Sequence, residues 1–411
     1  MNIYVLSREY PPNTVGGTST VARSLAEGLS RLKDDYNVVV ISSHKETEDY
    51  LETINKVKIL RVGNKQIYSE TTNLDSDNLV SHRRFLKKIK EMIDQFGKPD
   101  IIFLPDLFCF PEAYIIAKQF NVPLINILLQ DFRAIVPYDR GDKHKVSNSV
   151  NADRDTILEL EGKSIRLSTH TVFISQSLSD RILSYYPGNF STSVIHLGIT
   201  PEELLHKDDI DYQTYRQKLA KGNEKILMGC GRLVPVKGFD YLIRAFKEIV
   251  KQHDHLKLAI IGIGPEEEYL KIMANELGVE EKLIFLGDIS REEAIIYFHV
   301  ADIAIVPSLW ESFCYVCAEF MGVGKPIVAS AVDSLNELIP TDGFGSKIGV
   351  ATIDGRRVLD EQGIVDSVIK YLDDPCFAEE HGVNARNRVL SLFTNDKFIE
   401  GIVKLMSQIS S

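Results

Sequence analysis

Nowhere among its 411 residues does the chain hold an apolar run approaching the ~18–20 residues that cross a bilayer, so no membrane-spanning helix is expected. Cysteine is scarce. Five in so long a chain, an odd number, argues against a disulfide framework and fits reduced thiols in a cytoplasmic protein. Basic residues are in deficit, with a net charge of −11, and nucleic acid is therefore not an expected partner, because phosphate contacts demand a basic surface. The opening MNIYVLSREYPP lacks the charged start, long apolar core and small-residue cleavage site of a signal peptide, and reads instead as a first β-strand. Internal repeats and low-complexity tracts are absent too.

What is present is ordinary in amount and regular in order. Hydrophobic residues at 44% and charged residues at 26% are typical of globular chains, and the length favours two or three domains. Short apolar runs at 2–6, 37–42, 57–62, 101–104, 123–129, 171–174 and 193–197 form one series of expected strands. A second series falls at 225–230, 256–261, 283–286, 302–306 and 326–329. Helical patterns lie between most of them, among them 18–32, 239–251, 266–277 and 364–372. Near-continuous apolar strands alternating with helices imply parallel sheets covered on both faces. The expected fold is therefore α/β, with two doubly wound, Rossmann-like domains in tandem.

The boundaries read as 1–199, a polar linker at 200–224, a second domain at 225–390 and a C-terminal helix within 391–411 that packs back on the first domain. Two such domains facing each other would make a deep cleft at the carboxyl ends of their strands. Residues 44–80 and 133–154 read as irregular and polar, and loops of that length are usually functional or mobile.

Four motifs carry chemistry. In GCGRLVPVKGFDYL (229–242), Arg232 and Lys237 sit where a strand's end meets a helix N-terminus; they suit a diphosphate, or are a pair of surface charges. IIGIGPEEEYL (260–270) opens like a dinucleotide fingerprint, but Glu267 stands where the third glycine should be, so a nicotinamide cofactor is not expected. Gly262 and Gly264 still give a turn that a ligand can approach, and Gly16 and Gly17 do the same before the helix at 18–32, unless that is a simple capped turn.

The fourth is VPSLWESFCYVCAEF (306–320). Glu311 falls in the loop after a strand, Glu319 on the following helix, and the amides of Phe313, Cys314, Tyr315 and Val316 form that helix's N-terminus. Taken alone, the carboxylates are either sugar-hydroxyl and ribose acceptors or two solvated residues. Cys314 and Cys317 spell C-x-x-C, yet no second Cys or His pair with ligand spacing lies near, so they read as packing. The D-x-D triplets at Asp75/Asp77, Asp153/Asp155 and Asp209/Asp211 lie in polar loops, and no catalytic metal is expected. HRRFLKKIKEMIDQF (82–96) is a basic amphipathic helix; it reads as a sheet-covering helix with a solvated face rather than a membrane contact.

The order of these blocks, from YPPNTVGG through GRLVPVKGFDYL, IIGIGPEEEYL and IFLGDIS to VPSLWESFCYVCAEFMGVGKPIVAS, resembles family 4 of the retaining glycosyltransferases, the group 1 type with the GT-B fold. The most specific block holds the family's E-x7-E signature, Glu311 and Glu319. The resemblance implies a metal-independent transferase with no cofactor, using a UDP-, GDP- or ADP-sugar and an acceptor hydroxyl on a glycan, a lipid-linked sugar or a small molecule. It implies that Arg232 and Lys237 hold the donor diphosphate, Glu311 with the Phe313 and Cys314 amides the sugar, the Tyr315 and Val316 amides the phosphate, and Glu319 the ribose. Gly262 to Gly264 and Gly287 to Ile289 would flank the base, while Gly16 and Gly17 would close over the donor.

The acceptor side departs from the family's pattern. The usual histidine-rich strand end is Phe103-Leu104-Pro105-Asp106, and the usual His-Asp is Gln130-Asp131. Glutamine hydrogen-bonds but does not titrate. The usual Gly-Gly before Glu337 is Asp333-Ser334, and Cys314 stands where glycine is usual. Asp106, Gln130 and Asp131 are the expected acceptor-side residues, the last two with Glu311, Arg232 and Lys237 forming the expected catalytic set. Two rival readings are a donor-binding or partner subunit with weakened catalysis and another GT-B enzyme such as a nucleotide-sugar epimerase.

Overall fold

The apolar runs do form strands, and those inside the sheets are buried on both faces, while the edge strands at Thr192–Val194 and Leu283–Gly287 are half-buried. In the computed structural model, which describes residues 1–13, 17–63, 74–135 and 149–409, Ile101–Leu104, Leu124–Leu128 and Ile303–Val306 are buried at every position. Such strands need helices above and below.

The chain begins with β1 (Asn2–Leu6), α1 (Gly17–Leu32), β2 (Asn37–His44), β3 (Tyr50–Ile54), β4 (Val57–Gly63), α2 (Leu74–Phe96), β5 (Ile101–Leu104) and α3 (Phe110–Phe120). It continues through β6 (Leu124–Leu128), α4 (Phe132–Ile135), α5 (Ser149–Leu167), β7 (His170–Phe173), α6 (Gln176–Tyr185) and β8 (Thr192–Val194). These eight strands make one sheet in the order β3-β4-β2-β1-β5-β6-β7-β8, parallel except for the β3–β4 pair. Its core joins Tyr4, Ile41, Ile102 and Leu124 to Phe85, Ile89 and Met92 of α2.

After α7 (Tyr212–Leu219) comes a second run: β9 (Lys225–Cys230), α8 (Phe239–Ile249), β10 (Leu256–Ile261), α9 (Glu267–Glu276), β11 (Leu283–Gly287), α10 (Arg291–Val300) and β12 (Ile303–Val306). Then follow α11 (Tyr315–Gly322), β13 (Ile327–Ser330), α12 (Leu335–Leu338), β14 (Ser346–Ile348), β15 (Val350–Ile353), β16 (Arg356–Leu359), α13 (Glu361–Asp373), α14 (Pro375–Leu392) and α15 (Asn395–Ile409). The second sheet is wholly parallel, ordered β11-β10-β9-β12-β13-β14, with β15 and β16 a separate antiparallel hairpin. Its core is led by Phe239, Leu242, Ile243, Phe246 and Ile249, the spacing of one helix face.

The chain divides into two units, and the second spans Gly198–Thr394. The first holds β1–β8 with α1–α3, α5, α6 and the final helix α15, while α4 from Arg133 on groups with the second. Within that unit α15 lies so close to α1 that a Cβ on Gly28 would meet Ile399 Cγ1 at 2.5 Å. Where the chain enters and leaves the second unit, the Ile199 amide donates to the Phe393 carbonyl at 2.8 Å.

Three expectations need correction. The stretch 200–224 is not a linker but part of the second unit: Pro201–Leu204 forms a 3-10 turn, and Asp211 caps α7 by accepting the Thr214 amide at 3.2 Å. Arg216 of α7 ties it down, donating to the Val300 carbonyl (2.8 Å) and Asp302 (2.9 Å). Arg216 is thus an internal partner, while Lys207, Asp208, Asp209 and Lys218 remain exposed. Residues 44–80 are not all irregular either, since besides the expected strand β4 they hold β3. Helix α14 reaches Leu392, so the last helix starts at Asn395 rather than 391.

Candidate active site

Both sheets are wound outward from a pair of central strands, and the charged residues gather there. In the second unit β9 leads through β10 to β11 on one side, and β12 leads through β13 to β14 on the other. The crevice beyond the carboxyl ends of β9 and β12 is where ligands bind in such sheets. Lys237 comes from the turn after β9 and Glu311 from the loop after β12, and they meet: Lys237 Nζ to Glu311 Oε1 is 2.6 Å. Ser308 Oγ donates to the same oxygen at 2.8 Å. Burial works against the Lys237 ammonium, but Glu311 beside it, with the Cys314 and Cys230 thiols near, leaves its pKa raised.

The turns are shaped for this approach. Gly238 has φ +66°, and a Cβ there would meet the Pro307 carbonyl oxygen at 2.1 Å, so the Lys237 turn and the Glu311 loop pack backbone to backbone. Gly262 and Gly264 are needed for a similar reason: their Cβ atoms would meet the Gly231 and Leu233 carbonyl oxygens at 2.0 and 2.2 Å. They bring the turn after β10 against the turn after β9. Ile289, in the turn after β11, is half-buried.

Arg232 lies in the turn after β9 and is exposed, and among the described residues no carboxylate pairs with it. Cys314 precedes α11 with φ +71°. That left-handed conformation accounts physically for the glycine usual there, and the cysteine holds it despite its Cβ. Phe313 is buried, Tyr315 and Val316 half-buried. Among the described residues no protein acceptor meets the Phe313 and Cys314 amides. Burial raises the Cys314 and Cys317 thiols well above their usual range, so both are inert packing thiols.

Glu319, on α11, is buried and its pKa is raised by burial against the pull of Arg291. Arg291 opens α10 and reaches Glu319 Oε1 through Nε at 2.9 Å and Nη2 at 2.8 Å. Its Nη1 bonds Glu203. Both Arg291 contacts fall on one carboxylate oxygen, and Oε2 of Glu319 is left for another donor. Arg291 and Glu203 were not legible as partners, because nothing local links residues 88 apart.

The first unit repeats the device with a different result. Across its own switch point, Arg8 follows β1 and Asp106 follows β5. Asp106 accepts the Arg8 amide at 2.9 Å and Arg8 Nε at 3.0 Å, and also caps the next turn by accepting the Phe108 amide at 3.1 Å. Asp131 is fully buried, with Tyr185 Oη at 3.4 Å and Arg181 Nε at 3.8 Å. Both carboxylates are thus engaged by their own unit. Gln130 beside them is half-buried, and no partner meets its side chain among the described residues. Gly17 is the exposed first residue of α1, while Gly16 and residues 136–148 lie outside the described residues. The basic face of α2 is salt-bridged, Arg84 to Asp49 at 2.7 Å and Lys88 to Glu91 at 2.7 Å, and its apolar face fills the core. No described helix is long and apolar enough to cross a membrane.

Comparison with known families follows the same division of the chain. The model described as Glycosyltransferase Family 4 matches residues 15–203, and that described as Glycosyl transferases group 1 matches 211–388. The chain belongs to the group 1 glycosyltransferases. Among relatives, an uncharacterized glycosyltransferase of Methanocaldococcus jannaschii is 29% identical over 346 residues, 82% of this chain and 83% of that one. Among solved structures, sucrose-phosphate synthase of Thermosynechococcus elongatus superposes with a TM-score of 0.79 at 20% identity, covering 99% of this chain and 98% of that one. Anabaena HepE in complex with UDP-glucose gives 0.74 at 18% identity, covering 99% and 100%. The fold is GT-B, with two Rossmann-like domains.

Proposed function

We propose that this glycosyltransferase is a retaining, metal-independent enzyme that moves a sugar from a nucleoside-diphosphate sugar to an acceptor hydroxyl in the cytoplasm. The Lys237–Glu311 pair at the β9/β12 switch point, with the exposed Arg232 in the same turn as Lys237, is the observation that carries the reading. The likeness to HepE bound to UDP-glucose supports a nucleotide-sugar donor.

The chemistry follows from charge. As the bond between the sugar's anomeric carbon and the phosphate oxygen lengthens, negative charge grows on the departing diphosphate and positive charge on the sugar ring. Lys237 and Arg232 stabilise the diphosphate, doing the work a divalent metal does elsewhere. Glu311 accepts hydrogen bonds from sugar hydroxyls, held in place by Lys237 and Ser308. Glu319 offers Oε2 to the ribose diol. The acceptor oxygen bonds the anomeric carbon from the face the phosphate leaves, and its proton passes to the leaving phosphate, so the configuration is kept. Gln130, which replaces the histidine usual in the family, can hydrogen-bond a hydroxyl but has no proton to trade.

The test is nucleotide release from UDP-, GDP- and ADP-sugars with a panel of acceptors, with and without chelator, and the anomeric configuration of the product read by NMR. The reading expects release with one donor, no chelator effect and retention. Binding of nucleotide without transfer to any acceptor would instead support a donor-binding subunit, which the non-titrating Gln130 favours.

A further inference from the structure

Glu311 sits in a loop that is tied down at nearly every residue. The Leu309 amide donates to the Val236 carbonyl at 2.7 Å, and the Leu309 carbonyl accepts Arg357 Nη1 at 2.9 Å. Two residues on, the Glu311 amide faces Asp333 Oδ2 at 3.4 Å, and the Glu311 carbonyl accepts Ser334 Oγ at 3.3 Å. Asp333 and Arg357 are bound to each other as well, Arg357 Nη2 to Asp333 Oδ1 at 2.8 Å and Nη1 to Oδ2 at 2.5 Å. The Asp333 side chain is only 5% exposed.

Nothing in general fold requirements asks for this pair. Asp333 has φ +37°, in the left-handed region where a side chain costs energy and glycine does not. A buried carboxylate there needs its partner, because removing one member of such a pair leaves a desolvated charge. The partner comes from β16, on the hairpin whose strands join neither large sheet. One guanidinium therefore holds both Leu309 and the carboxylate facing the Glu311 amide, the two sides of the loop that aims Glu311 at Lys237.

We propose that Arg357 and Asp333 are positioning residues for Glu311: the β15–β16 hairpin clamps the sugar-binding loop through this bidentate pair. The inference rests on the proposed role of Glu311 in holding the donor sugar. The pair acts through the loop and touches no substrate. Its loss lets the Glu311 carboxylate swing while leaving the diphosphate contacts of Arg232 and Lys237 in place.

The test has two arms on the full-length protein. In the first, thermal stability is measured for Arg357→Met, Glu311→Gln and the double variant. A clamp that holds Glu311 makes the two effects non-additive, and additive effects would overturn the proposal whether or not the protein turns over any donor. In the second, Arg357→Met, Asp333→Asn and Arg357→Lys are compared for donor turnover and for binding of the free nucleoside diphosphate. The expected result is a fall in kcat of about tenfold or more with nucleotide affinity changed less than about twofold, and partial rescue by Arg357→Lys, which replaces one arm of the fork. Wild-type kcat in a stably folded Arg357→Met, or nucleotide affinity falling in step with kcat, would refute the clamp. If the wild-type protein transfers no sugar, the proposed function fails and the stability cycle still decides the clamp.

Discussion

Lys237 and Glu311 lie 74 residues apart in sequence and 2.6 Å apart in space, and their pairing sets the first expectation. A lysine whose pKa is raised stays charged near neutral pH, so what Lys237 can offer a bound anion is charge and not a proton transfer. Lys237→Ala should lower kcat by roughly 10²–10³-fold, the loss typical of one transition-state donor, with the fold intact by circular dichroism. A pH effect belongs to another residue. His299 Nε2 donates to the Leu204 carbonyl at 3.1 Å, and burial, aided by the nearby charges of Lys325, His206 and Arg386, lowers its pKa to about 4. Between its unfolded value near 6.5 and about 4 the unfolded chain binds the proton and the folded one does not. Stability should therefore fall as pH drops from about 6.5 and level off below about 4, and His299→Gln should flatten that part of the denaturation-midpoint profile.

Elements were legible where burial is two-sided and obscure where it is not. β1, β5, β9 and β10 start and end where the apolar runs do, because each lies inside a covered parallel sheet. β3 was missed: it is an edge strand, antiparallel to β4 and largely exposed, so its YLETI carries little apolar signal. The β15–β16 hairpin was also missed, although Asp354-Gly355 between alternating residues is a recognised hairpin turn. With it went Arg357, since a clamp formed by a distant hairpin leaves no local pattern. Taken alone, Lys237, Glu311 and Glu319 left a ligand reading and a surface-charge reading open, and only the family resemblance chose between them; the structure adds that Lys237 and Glu311 meet at 2.6 Å. Gly262 and Gly264 were read as ligand access, and the structure adds a tighter constraint, the contact between two turns. Gly262→Ala should cost more than about 2 kcal/mol in chemical denaturation, since φ +131° and a 2.0 Å approach to the Gly231 carbonyl oxygen both resist a Cβ. Phe246→Ala, in the fully buried face of α8, should cost about 3–5 kcal/mol by cavity formation and leave donor KM unchanged.

At the scale of the molecule, two sheets built on one plan hold different charges at their switch points. In the first unit Arg8 is closed on Asp106 and lies over the Phe108 ring at 4.0 Å, so that cation is already matched. In the second, Lys237 is matched by Glu311 while Arg232 stands exposed, with no carboxylate paired to it among the described residues. A nucleoside diphosphate should therefore bind the second unit. Hydrogen exchange is the direct measurement, because ligand binding to the native state suppresses local opening at its site. Saturating the full-length protein with UDP, GDP and ADP in turn should slow exchange at 231–238, 262–266, 287–291 and 312–316 for the matching nucleotide. The opposite edge of the same sheet, 251–255 and 373–376, should exchange as before. At ~100 times the dissociation constant the matching nucleotide should also stabilise the protein by ~2.7 kcal/mol, which a thermal scan reads as a rise in Tm. Arg232→Ala should weaken both responses together. Protection confined to the opposite edge, or an Arg232→Ala variant that binds as well as the wild type, would place the diphosphate elsewhere.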